Sequence, residues 1–251
     1  MLEQVDLDQR ASKATYTRRI PQLQNRLYDL ERAVAEARIP VTIVFEGWAA
    51  AGKGSAIRVF TQRLDPRGCV VVPVTPPRTV ETHYPWMWRF WQRIPAYGQM
   101  VVFDTSWYRR VLIDRIDKRV PKRAWAGAYL DITEFEEQLA ADGTVFVKLW
   151  LHISHTEQAR RLKAIKGKKL TAWQITEEDE AQHRAYDKYL VAVEEMLTRT
   201  DTPFAPWVIV ESTDKHFAQL KILDTTITTL ERALARSGVA VESGTGAAPD
   251  A

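Results

Sequence analysis

The sequence predicts an α/β domain built on a five-stranded, mainly parallel sheet, and three observations carry that prediction. Five short apolar runs occur: VTIVF (41–45), CVVVPV (69–74), MVVFD (100–104), VFVKLWL (145–151) and PWVIV (206–210). Helix-length segments separate them, the alternation that gives crossover helices and parallel pairing. The runs are largely continuous rather than alternating, as expected of strands buried on both faces. The competing reading of such runs is pieces of buried helix.

The elements follow in order. Residues 1–20 are polar and are expected to form a flexible N-terminal segment. From Pro21 to about Arg38 a helix is predicted, because Leu23, Leu27, Leu30 and Val34 recur at helical spacing and proline suits a first turn. Pro40 ends it and the first strand begins. That strand runs directly into EGWAAAGKGSAI (46–57), a glycine loop opening into an alanine-rich helix. The remaining strands alternate with helical segments up to Arg236, so 21–236 reads as a single domain. The tail SGVAVESGTGAAPDA (237–251) is small and polar and is expected to be disordered.

Composition excludes several classes. No apolar run reaches the ~18–20 residues of a membrane-spanning helix. The N-terminus has no apolar h-region of a secretory signal. A single cysteine, Cys69, cannot form an internal disulfide, which fits a reducing, cytoplasmic setting. With 27% charged and 10% aromatic residues the chain is globular in character. Thirty-five Lys and Arg against 32 Asp and Glu give a net charge of +3, which argues against a uniformly basic coat but can hide a local basic track.

The chemistry is concentrated in the glycine loop. Gly47 to Lys53 fits G-x-x-x-x-G-K between an apolar strand and a helix, the context a phosphate loop requires. Its glycines let backbone N–H groups turn toward phosphate oxygens, the helix N-terminus adds partial positive charge, and Lys53 adds a full one. The alternative is a ligand-free strand-to-helix turn. Gly54 follows Lys53, so the hydroxyl that usually meets Mg²⁺ is missing or displaced to Ser55. The third strand ends in Asp104, the position from which a phosphate-loop protein offers a carboxylate to Mg²⁺. Helix capping is its other reading.

Two basic segments flank these residues. Arg160, Arg161, Lys163, Lys166, Lys168 and Lys169 crowd 160–169 without an acid, followed by acids at 177–180. This reads as a helix and a basic loop able to close over phosphates. Arg109, Arg110, Arg115, Lys118, Arg119, Lys122 and Arg123 follow Asp104. Either segment can also be a solvated helix face. A long polyanion suits such a track better than a single nucleotide. The aromatics of HYPWMWRFWQ (83–92) are read mainly as packing residues, with contact to a base or polymer as the lesser reading.

EGWAAAGKGSAI, FDTSWYRR, LTAWQITEED and RTDTPFAPWVIVESTDK together resemble the polyphosphate kinase 2 family, in order and spacing, over about 20–235. HYPWMWRFWQRIP and ITEFEEQL resemble the branch that includes polyphosphate:AMP phosphotransferases. The resemblance implies a thymidylate-kinase-like P-loop kinase fold, a three-layer α/β/α arrangement with a helical lid at about 157–180. It implies Mg²⁺-dependent phosphoryl transfer between inorganic polyphosphate and a nucleoside mono- or diphosphate, adenine favoured, in a homo-oligomer; no membrane partner is expected, and nucleic acid is the disfavoured partner, although such a track also attracts backbone phosphates. Gly47, Gly52, Lys53, Gly54 and Ser55 would cradle phosphate, joined by Arg109, Lys168 and Lys169. Asp104 would hold the metal, and Lys53, Asp104, Arg160 and Arg161 would carry the catalysis. The chain departs from the pattern where the family has Asp and Arg: Ala49 and Thr105 stand there, and the lid carries Ile165, Gly167 and Gln174 in place of expected residues. Two alternatives follow: a catalytically impaired relative that binds polyphosphate or nucleotide, or an ATP-dependent nucleoside monophosphate kinase.

Overall fold

The computed structural model describes residues 2–170 and 172–239. Its five strands are all parallel, in the order β2-β3-β1-β4-β5: β1 (Val41–Gly47), β2 (Cys69–Pro73), β3 (Met100–Asp104), β4 (Val145–His152) and β5 (Trp207–Glu211). The helices are α1 (Lys13–Glu36), α2 (Lys53–Thr61), α3 (Trp88–Trp91), α4 (Ile113–Ile116), α5 (Lys122–Ala141), α6 (His155–Lys166), α7 (Glu177–Arg184), α8 (Tyr186–Thr200) and α9 (Lys215–Arg236). All seven residues of β1 are buried, so both faces of the sheet are covered. α9 packs on β4 and β5 and gathers α1 and α2 on its face, while α5 packs against α8.

The strand order places the site. From β1 the chain goes to one side for β2 and β3, then to the other for β4 and β5. Ligands of open α/β sheets bind at such a reversal, beyond the C-terminal strand ends. There the register sets Phe45 beside Asp104 and Gly47 beside Leu151, bringing the glycine loop and the end of β3 together.

The N-terminal part differs from the sequence expectation. α1 begins at Lys13, not near Pro21, because the Ser12 hydroxyl accepts the Thr15 N–H at 3.0 Å and Ile20 already faces the core. Pro21 therefore lies inside the helix. The stretch before it is anchored too: Leu2 is buried and its N–H donates to Glu194 Oε1 at 2.7 Å. At the other end, Gly238 takes a left-handed conformation and the Val239 N–H returns to the Leu234 carbonyl at 3.0 Å, closing α9 rather than fraying it. The rest of the expected disordered tail, from 240 on, lies outside the described residues. No helix among the described residues is long and apolar enough to cross a membrane.

Packing predicts where substitutions will be felt. Leu30→Ala in α1 empties a fully buried site and should cost about 2–5 kcal/mol in chemical denaturation. Leu130→Ala, at the exposed face of α5, should stay within about 0.5 kcal/mol of the parent.

Candidate functional site

The glycine loop is built by close approach. At Gly47 a β-carbon would lie 2.6 Å from the Leu151 carbonyl oxygen, and the backbone is left-handed there (φ 151°), so no other residue fits. Gly52, at φ 103°, opens α2, and no side chain caps the first-turn amides. Those amides are the donors a phosphate takes at a helix N-terminus. Lys53 Nζ donates to the Gly47 carbonyl at 3.1 Å, folding back along the loop. Gly54 has open space around it, and the exposed Ser55 hydroxyl donates to the Gly52 carbonyl at 2.9 Å.

The loop is pinned by an aromatic column. Trp48 is fully buried, stacks on Tyr186 at 4.2 Å, and donates from Nε1 to His152 Nδ1 at 3.0 Å. Tyr186 stacks on His155, which meets His183 at 4.5 Å. Burial pushes His152 down to about 4, so it accepts this bond as a neutral ring.

Ala49 is buried, and its N–H donates to Gln182 Oε1 of α7 at 2.6 Å. Gln158 of α6 donates to the same Gln182 oxygen at 3.1 Å, and its own oxygen accepts from His183 Nδ1 at 2.9 Å. Helices α6 and α7 therefore sit on the loop through neutral amides at the position where the resemblance expects a carboxylate. Neither glutamine carried a signal in the sequence, since both lie in polar helical segments.

Glu46 joins the loop to β3. It is 4% exposed, and its Oε1 accepts both the N–H and the hydroxyl of Ser106 at 2.8 Å. Burial pushes its carboxyl up to about 7, against the pull of Lys53 and the Ser106 bonds. Asp104 stands at the C-terminal end of β3, partly buried. Thr105 follows at φ 63°, an uncommon conformation for a β-branched residue, held by its N–H to the Phe45 carbonyl at 3.0 Å. Among the described residues no group of three or more His, Cys, Asp or Glu forms a ready metal cage. A single carboxylate at a strand end beside a glycine loop fits Mg²⁺, which retains waters and takes substrate phosphates as ligands.

The cationic residues divide into two sets. Arg109 is buried; it donates to Glu178 Oε2 at 3.0 Å, and its Nε lies 3.5 Å from Asp114. Burial is the largest single effect and works against its charge, but Glu178, Asp114 and Glu46 together outweigh it and raise its pKa. Arg110 lies over Trp86 at 4.9 Å. With Arg89, Trp107 and Asp114 these residues line a cavity of about 420 Å³, the size of a small-ligand pocket. Trp86 and Phe90 both line the cavity, and Phe90 is at the same time buried in the core.

Arg161 is a strut. It donates to the carbonyls of Ala50 and Ala51 at 3.1 Å and of Ser212 and Thr213 at 2.6 and 3.0 Å, and to Glu157 at 2.6 Å. Arg160 is exposed and paired with Glu157 at 2.7 Å. Lys168 and Lys169 are exposed, just beyond the end of α6. The basic run is less bare than 160–169 suggests, because Glu157 precedes it and Glu180 reaches Lys166 at 2.6 Å.

Two outcomes follow. Gly47→Ala should unfold the loop–β4 junction and lower stability by more than about 1 kcal/mol, read as a lower melting temperature. For Glu46, the folded chain keeps a proton that the unfolded chain releases above 4.5, so stability falls as pH rises from 4.5 to about 7. Glu46→Gln should flatten that fall, by about 3 kcal/mol if the whole shift is realised, in unfolding measured across this window.

Comparison with known proteins agrees with this architecture. The polyphosphate:AMP phosphotransferase of Pseudomonas aeruginosa is 41% identical over 233 residues, 93% of this chain and 47% of that protein. The ADP-polyphosphate phosphotransferase of the same organism is 35% identical over 221 residues, 88% of this chain and 73% of its own length. The crystal structure of polyphosphate kinase 2 from Arthrobacter aurescens TC1 superposes with a TM-score of 0.88 at 25% identity, covering 99% of this chain and 89% of that one. The chain spans about half the length of the AMP-phosphotransferase relatives it matches at 39–41% identity. Residues 10–237 match the family model Polyphosphate kinase 2 (PPK2), and the chain belongs to that family.

Proposed function

We propose that the chain catalyses phosphoryl transfer between inorganic polyphosphate and a nucleoside mono- or diphosphate, with adenine nucleotides favoured. One observation carries the reading: the loop Gly47–Lys53 stands beside Asp104, and next to them lies a cavity lined by Arg89, Arg109 and Arg110. The names of relatives with 35–41% identity, which act on AMP or ADP with polyphosphate, support it.

The residues have distinct parts in this reading. The α2 amides and Lys53 hold the donor phosphates, and Lys53 leaves the Gly47 carbonyl to do so. Arg109 and Arg110 hold the acceptor phosphate in the cavity, with Trp86 beside the base. The acceptor's phosphate oxygen forms the new bond to phosphorus while the bond to the bridging oxygen of the donor breaks, and that oxygen leaves with the shortened donor. No side-chain nucleophile is needed, so positioning and charge supply the acceleration. Asp104 would hold Mg²⁺, which would neutralise phosphate charge. Arg160, Lys168 and Lys169 meet the polymer from the lid, whereas the carbonyl bonds of Arg161 support a part in holding lid and loop together. The domain extends over 21–236 with the N-terminal residues packed against it, in a cytoplasmic homo-oligomer.

Ala49 and Thr105 favour a second reading, binding with weak or no turnover, since each lacks a charge expected in the crevice. The test is ³¹P NMR with polyphosphate, Mg²⁺ and AMP or ADP, run beside ATP as donor. Turnover from polyphosphate is expected, and Lys53→Met should lower it by about 10²–10³. No turnover at high protein concentration, with salt-sensitive polyphosphate binding retained, would favour the second reading. Turnover from ATP alone would mark a nucleoside monophosphate kinase.

A further inference from the structure

A charged pair lies at the centre of the apolar core. Lys148 of β4 and Glu136 of α5 are both 0% exposed, their Nζ and Oε2 atoms 2.8 Å apart. Burying two charges is costly, and well-packed apolar residues of similar volume commonly stabilise a core as well or better. Its wiring gives the pair a different use. Lys148 Nζ makes three hydrogen bonds, to Glu136, to the Tyr108 hydroxyl at 2.9 Å and to the Thr200 carbonyl at 2.8 Å. Glu136 Oε1 accepts Trp107 Nε1 at 3.0 Å and the Tyr108 hydroxyl at 2.7 Å.

The pair therefore grips two consecutive residues of the turn Trp107–Arg110, and the next two are Arg109 and Arg110 of the cavity wall. Upstream the same segment is fixed at every step: Asp104 by strand pairing, Thr105 by the Phe45 carbonyl, Ser106 by Glu46. Apolar packing would hold the Trp107 and Tyr108 rings in the core but would leave their rotation less defined. Directional bonds to the ring N–H and hydroxyl fix the rings, and with them the backbone from which Arg109 and Arg110 leave.

We propose that Glu136 and Lys148 are positioning residues that set the placement of Arg109 and Arg110 for the acceptor phosphate. The proposal rests on the functional reading above, in which the cavity takes the acceptor. Two variants test it: Tyr108→Phe, which removes one hydroxyl, and the paired Glu136→Leu with Lys148→Met, which leaves no orphaned charge. Hydrogen exchange of the protein without ligand reads the turn directly, and steady-state kinetics read each substrate separately. Both variants should unfold cooperatively, exchange amides 107–110 at least tenfold faster, and raise KM for the nucleotide at least tenfold. KM for polyphosphate should stay within twofold. Unchanged exchange at 107–110 would overturn the proposal, as would KM values for both substrates rising together. If the parent protein turns over no nucleotide, the functional reading fails, while exchange still decides whether the pair holds the turn.

Discussion

Everything at the candidate site depends on how closely β1 can pass β4 at its end. Gly47 approaches the Leu151 carbonyl so nearly that a single methyl would meet it at 2.6 Å. This approach aims the following loop across the strand ends rather than away from them. Trp48 then drops into the core against Tyr186 and His152, and the loop returns in time for Gly52 to open α2. A phosphate loop is usually described by the ligand it binds. Here its shape is fixed first by a steric condition on one residue and by the burial of the next.

Helices α6 and α7 show how a nearly neutral chain can carry local charge. The net +3 is distributed as short-range pairs rather than as a bare basic strip. Arg109 and Arg119 share Glu178, Arg160 and Arg161 share Glu157, and Lys166 meets Glu180. The exposed ones among them, Arg160 with Glu157 and Lys166 with Glu180, contribute little stability and exchange readily. They can yield to a polyanion without a large loss. The contacts that tie α6 and α7 to the glycine loop are of another kind: amide bonds from Gln158 and Gln182, and the Arg161 guanidinium on four backbone carbonyls. These depend little on salt, because most of their partners are uncharged.

Buried polar groups recur along one path, from Glu46 through Ser106 to Tyr108, Glu136 and Lys148. Each satisfies the next, and an incomplete network of this sort would be worse than an apolar core. The path follows the segment that leaves β3 carrying Asp104 and delivers Arg109 and Arg110. Stability alone does not require it, since apolar side chains could fill that volume. A fixed geometry for charged groups at a strand end does require it.

Much of the fold was legible in the chain. Five apolar runs, their spacing and the glycine string determined the strands, their parallel pairing and the place of the glycine loop, because these rest on local pattern and on the burial of both sheet faces. The start of α1 was not legible, since the Ser12 cap outweighed the signal of Pro21. Likewise, Lys148 inside VFVKLWL gives no hint of its partners, which lie 12, 40 and 52 residues away. The residues that could bear charge were also visible, but not which would be spent on one another. Arg161 and Arg160 are neighbours in sequence, yet one is locked to carbonyls of two loops and the other lies in solvent. Sequence by itself determined the sheet, the loop and the stock of charges. Tertiary structure alone decided which charges are free to meet a ligand, because a charge's role is set by the burial and the partners it finds across long separations.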